Sequence, residues 1–138
     1  MWSKTKKQLK SFLCSSLRDR VDYFCSNYRI HDGIGRTYIT VDGNEVYNMC
    51  TLKREYYLHQ PKEGVYSQVE FLEAFQEYKN SPIEDLVKSN KTLIKILVIL
   101  DRRVGKRTLE KMKYSITSEE GIVQYFYNLR CTAEEITT

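Results

Sequence analysis

Six cations, Lys4, Lys7, Arg102, Arg103, Lys106 and Arg107, are the side chains of this 138-residue sequence whose type and spacing best suit a chemical task. That task is recognition rather than bond breaking, because guanidinium and ammonium groups donate to phosphate or carboxylate oxygens and supply no nucleophile. Four of them crowd the segment Asp101-Arg102-Arg103-Val104-Gly105-Lys106-Arg107 around a single glycine. Exposed together they would meet phosphates. In the competing reading, Arg102 or Arg103 reaches back to Asp101 or Glu110 and pins two helices, a structural use that arginine forks serve as readily.

A second set is aromatic. Among the 11 tyrosines, Tyr28, Tyr38 and Tyr47 fall in the strand-like half, and a sheet face carrying them would stack bases or bind a protein. Ordinary core and cross-strand pairing accounts for the same residues. Catalysis has less to draw on. The two histidines are His31, beside Asp32 in a turn-like segment, and His59 near a loop, and neither has an identifiable nucleophile partner. No nucleophile elbow, Walker motif, zinc-protease motif or dinucleotide fingerprint occurs, and Gly33-Ile34-Gly35 is too short to cradle phosphates. The cysteines, Cys14, Cys25, Cys50 and Cys131, are scattered with no C-x-x-C pair, so they read as reduced core fillers. A disulfide is the minor alternative. Neither a metal nor a cofactor is expected.

The charge that surrounds these candidates is uneven. The net charge is +4, yet residues 1–20 carry six basic side chains against Asp19 alone, and residues 101–113 carry six against Asp101 and Glu110. The remainder is mildly acidic. Two basic segments on an acidic body suit an anionic partner or are simply solvated helix faces. With 41% hydrophobic residues, six Gly and two Pro, a disordered or collagen-like chain is excluded. The apolar run 93–100 is interrupted by Lys95 and is too short for a bilayer span of about 20 residues. A basic start without an apolar segment behind it does not resemble a signal peptide, so a soluble, cytoplasmic protein without membrane contact is expected.

The elements that must position these groups follow from periodicity. Ser3 is placed to cap a helix with apolar residues Leu9, Phe12, Leu13 and Leu17, running to about Leu17. Val21, Tyr23 and Cys25 then alternate, with a slip near Ser26 and Asn27, and Asp32-Gly33-Ile34-Gly35 reads as a turn. Residues 36–41 and 45–50 alternate around Asp42-Gly43, a strong hairpin signal. Residues 51–60 suit either a helix or a fourth strand. Ser67 with Glu70 forms a capping box for a helix burying Phe71, Leu72, Phe75 and Tyr78, with Glu73 and Glu77 on its wet face. Ser81-Pro82 opens another, and Asn90 is placed to cap a central apolar helix over 93–103, although 93–100 alone also suits a buried strand. A short basic helix spans 106–113. Thr117 with Glu120 predicts a last capping box, for a helix burying Ile122, Tyr125, Phe126 and Leu129.

Several segments resemble those of a family of small, uncharacterised bacterial proteins: the opening Met1-Trp2-Ser3-Lys4, Phe12-Leu13-Cys14, Val41-Asp42-Gly43-Asn44-Glu45-Val46, Asn48-Met49-Cys50, the segment from Leu100 to Arg107, and Phe126-Tyr127-Asn128-Leu129-Arg130-Cys131. The resemblance implies a bacterial, cytoplasmic protein and offers no catalytic residue to carry over. Residues 1–138 therefore read as a single α+β domain: an N-terminal helix, a three-stranded antiparallel meander and four or five further helices, the sheet being covered by the first helix and the 93–100 element. The function that fits is a non-enzymatic protein-binding module. The alternatives are a nucleic-acid-binding protein using the first helix and the 102–107 loop, and a small enzyme using His31 or His59.

Overall fold

The apolar spacing at the N-terminus does form a helix. In the structure, a computed structural model that describes residues 2–26, 36–50 and 66–136, this is α1, Trp2–Phe12, with Leu9 buried. Ser3 lies inside its first turn and does not cap it. The helix also ends before the expected Leu17, for a reason remote in sequence. Leu13 pairs antiparallel with Asp101, the Cys14 N–H donates to the Leu100 carbonyl at 2.9 Å, and the Arg102 N–H donates to the Phe12 carbonyl at 2.8 Å. Peptide groups used in this bridge cannot continue a helix.

The sheet is an antiparallel meander in the order β1 (Val21–Ser26), β2 (Arg36–Val41), β3 (Asn44–Cys50). Asp42 and Gly43 both take positive φ, 53° and 84°, as a two-residue type I′ turn demands. Arg20 closes the turn from outside through a paired contact with Asp42, both bonds 3.0 Å. Gly43→Val is expected to cost about 1 kcal/mol or more, because a β-branched residue is strained at that φ, although a Cβ there would meet no neighbour. Thermal melts of the two proteins check this. Between Ile39 and Thr40 the pairing with β3 slips: Thr40 faces Glu45 while Ile39 faces Tyr47, leaving Val46 as the extra residue of a bulge. Of the slip expected near Ser26 and Asn27, Ser26 pairs with Arg36 in unbroken register, whereas Asn27, the turn 32–35 and the ambiguous 51–60 lie outside the described residues.

Among the described residues that follow the sheet the elements are helical: α2 (Gln68–Lys79), α3 (Ile83–Leu86), α4 (Thr92–Ile99), α5 (Lys106–Met112), a 3-10 turn (Ile116–Ser118) and α6 (Gly121–Ala133). The architecture is thus α+β. The Ser67 and Glu70 capping box is complete, with the Glu70 N–H donating to Ser67 Oγ at 3.1 Å and the Ser67 N–H to Glu70 Oε1 at 3.0 Å. The second expected box does not form. Glu120 is itself the N-cap residue of α6, and Lys91 rather than Asn90 precedes α4. The central apolar segment is a helix, but it stops at Ile99 because Asp101 receives the Arg103 N–H on its own carboxylate at 2.7 Å and folds the chain into a turn. Helix α2 packs on β2 and β3, and α4 lies between α2 and α6, so α2 takes the covering place expected for the 93–100 element. The buried side of α6 is Val123, Phe126, Tyr127, Arg130 and Cys131, while Tyr125 is exposed, a rotation from the expected stripe. Among the described residues no helix is long and apolar enough to cross a membrane.

Three fully buried tyrosines give the core a pH limit. Burial is the main cause that pushes the phenols of Tyr23, Tyr78 and Tyr127 up, that of Tyr127 to about 12. Tyr127 also donates to the Leu109 carbonyl at 2.7 Å. A phenol with a raised folded pKa contributes stability that is complete below the unfolded value near 10 and is lost as pH rises through the folded value. Urea midpoints are therefore expected to hold steady up to about pH 9 and to fall progressively between about pH 10 and 12.

Candidate functional site

The 101–107 segment is held by two buried charges. Asp101 is fully buried and accepts from the backbone N–H of Arg103, from its guanidinium Nη2 at 2.7 Å, and from the hydroxyl of Tyr78. The Arg103 guanidinium lies 4.8 Å from the centre of the Phe12 ring, and hydrogen bonding to Asp101 pushes its pKa further up. From the other side Arg130, 3% exposed, donates through Nη1 to the carbonyls of Ile99 and Asp101 and through Nη2 to that of Val104, at 2.6–2.9 Å, while its Nε reaches Glu134 at 2.8 Å. A planar fork at the end of α4 satisfies carbonyls that the helix leaves open.

These contacts separate the six candidate cations. Arg103 is committed to Asp101. Arg102 is exposed and its Nε donates to the Ser11 carbonyl at 3.0 Å, against the end of α1. Lys4 and Lys7 are exposed on α1, and Lys106 and Arg107 are exposed on α5. No hydrogen bond or ion pair joins any of the last four to a carboxylate among the described residues. The other two lysines of α1 turn to the sheet, Lys6 and Lys10 lying 3.5 and 3.7 Å from Asp22.

The tyrosines are separated too. Tyr38 pairs across the ladder with Phe24 and Asn48, whereas Tyr47 pairs with the buried Ile39, so Tyr38 and Tyr47 occupy opposite faces of the sheet. The outer face holds Tyr38 stacked on Phe24 at 5.3 Å, with Arg36 4.0 Å above the Tyr38 ring and Lys6 4.1 Å from Phe24. Tyr28, His31 and His59 lie outside the described residues. The thiols of Cys14, Cys25 and Cys131 are free, and burial pushes those of Cys25 and Cys131 up.

Near Tyr47 lies a groove that single-sequence reasoning missed. Glu70, Glu73 and Glu77 recur at three and four residues and so share one side of α2. Across from them stand Lys91 and Thr92 at the start of α4, Glu120 before α6, and Tyr66, enclosing a groove of 590 Å³. Glu77 accepts from Lys91 at 2.5 Å, and Glu70 is used by its capping box. Oε1 of Glu120 accepts from Tyr66 at 3.1 Å and from Thr92 at 2.9 Å. Its Oε2 is buried without a hydrogen-bond partner, and Glu73 has none among the described residues. Burial, then the adjacent Tyr66, Glu120 and Glu70, push the phenol of Tyr47 up, so it stays protonated beside the groove. Four carboxylates against one ammonium in a concave surface focus a negative potential. The Glu70, Glu73, Glu77 spacing was visible in sequence, but Glu120 joins it only through the packing of α6 on α4.

A family model matches the chain over residues 1–63 and 59–131. The chain belongs to the SF0329 protein family. The groove residues and all six candidate cations lie within the SF0329 match. No curated protein and no solved structure matches the chain. Among the described residues no group of three or more His, Cys, Asp or Glu side chains is placed to hold a metal ion.

Proposed function

We propose that the protein is a non-enzymatic protein-binding module whose acidic groove receives a basic segment of a partner. The carrying observation is Oε2 of Glu120, a buried carboxylate oxygen lacking a donor. A buried acceptor left unmade costs about 1–3 kcal/mol, and an ammonium or guanidinium from a partner supplies the missing N–H. Glu73 extends the same acceptor surface along α2, and Tyr66 offers apolar ring area to the stem of a lysine or arginine.

The test uses a fluorescein-labelled lysine- and arginine-rich peptide and its glutamate-rich counterpart, read by anisotropy. The basic peptide is expected to bind and the acidic one not. Glu73→Lys combined with Glu120→Gln is expected to weaken binding at least about tenfold, the equivalent of about 1.4 kcal/mol. Equal binding to the variant, or none to the natural chain at low salt, would exclude the groove as the site.

A further inference from the structure

We propose that a second, independent surface, the outward side of α1 continued at its end by Arg102, docks the phosphate backbone of a nucleic acid. The lysines of α1 are sorted by direction. Lys6 and Lys10 are engaged with Asp22 of the sheet, and the exposed residues of the helix are Ser3, Lys4, Lys7 and Ser11. Lys4, Lys7 and Ser11 follow one another at three and four residues and therefore line up along the helix, about 4.5 and 6 Å apart in rise. Arg102 is fixed at the far end of that line by its Nε bond to the Ser11 carbonyl, and the remaining guanidinium N–H groups have no partner among the described residues. Arg18 flanks it, donating to the Leu13 carbonyl at 3.4 Å.

The strip is about 10 Å long, and phosphates of one strand recur about every 3.4 Å along a duplex, so three cations face about three phosphates. A membrane surface does not fit. Trp2, Leu9 and Phe12, the apolar residues of α1, pack on the core, and its outward side has nothing to insert among acyl chains. The exposed cations lack carboxylate partners within the described residues, so nothing intramolecular needs to be displaced when phosphates arrive.

A fluorescein-labelled DNA duplex, titrated with the full chain between about 50 and 200 mM salt, tests this. Affinity is expected to fall with salt at a log–log slope of about −3 for three phosphate contacts. Lys4→Glu with Lys7→Glu is expected to lower affinity at least about tenfold and to flatten the slope by about 2, with the melting temperature unchanged because both side chains are exposed. Glu73→Lys is expected not to weaken duplex binding, which keeps this surface separable from the groove. No binding at low salt, a slope untouched by the double reversal, or equal retention on polyglutamate or on anionic vesicles would overturn the proposal.

Discussion

Arg130→Met is expected to destabilise the protein by about 3–5 kcal/mol, lowering the melting temperature by on the order of 10 °C or more. Methionine fills similar volume but donates nothing, so the carbonyls of Ile99, Asp101 and Val104 lose buried donors at once. The Asp101 carbonyl keeps the Val104 N–H at 3.1 Å, and each acceptor left orphaned costs about 1–3 kcal/mol. Glu134 is left as well, retaining only the hydroxyl of Ser16 at 2.9 Å. Arg130→Lys is expected to recover little, because a single ammonium cannot span carbonyls from residues 99, 101 and 104 while holding Glu134. A melting temperature close to that of the natural chain would show that water or a rearranged turn supplies the missing donors.

Asp101→Ala is expected to cost a similar amount, about 3–5 kcal/mol, by a different route. The carboxylate is fully buried and binds Tyr78 from α2 together with the backbone and guanidinium of Arg103. Without it the Tyr78 hydroxyl is stranded in the core, whereas Arg103, whose side chain is 31% exposed, reaches water. Tyr78→Phe separates the two contributions. Made alone it leaves Asp101 with Arg103 and costs about 1–2 kcal/mol, and made in the Asp101→Ala background it removes a hydroxyl that is already unsatisfied. The double variant is therefore expected to be more stable than the sum of the singles by about 1–3 kcal/mol, measured by chemical unfolding. Strict additivity would mean that Tyr78 and Asp101 do not share a bond that matters.

What was legible in the sequence is what short-range physics determines. Asp42-Gly43 has the only backbone freedom a type I′ turn accepts, Ser67 and Glu70 cap from three residues apart, and Phe71, Phe75 and Tyr78 bury the face their spacing predicts. The errors arise where a distant group takes over a local one. Leu17 fits the periodicity of α1, yet the chain leaves the helix at Leu13 to pair with Asp101. Arg130 belongs by polarity on a wet face, and the open carbonyls after α4 draw it inward, turning α6 so that Tyr127 is buried and Tyr125 is not. The basic candidates were visible as a charge run, but only the fold shows that the carboxylate of Asp101 engages Arg103 and takes it out of the unpaired set. The groove needed three separate segments to meet, and periodicity within α2 carries no information about Glu120.

The bridge between Leu13 and Asp101 also bears on how the protein is made. Arg102 holds the Ser11 carbonyl across a separation of 91 residues, so α1 leaves the ribosome well before the residue that secures its end. At about 5–20 residues per second that interval is about 5–20 s. The β-meander completes itself during this time from neighbouring segments, while Leu13 and Cys14 remain without the strand-like partner that covers them. Loop closure of this length comes late and is slow relative to hairpin formation. The nascent chain therefore carries the end of α1 unsealed until Arg102 emerges, after the sheet and the helix that packs on it have been made.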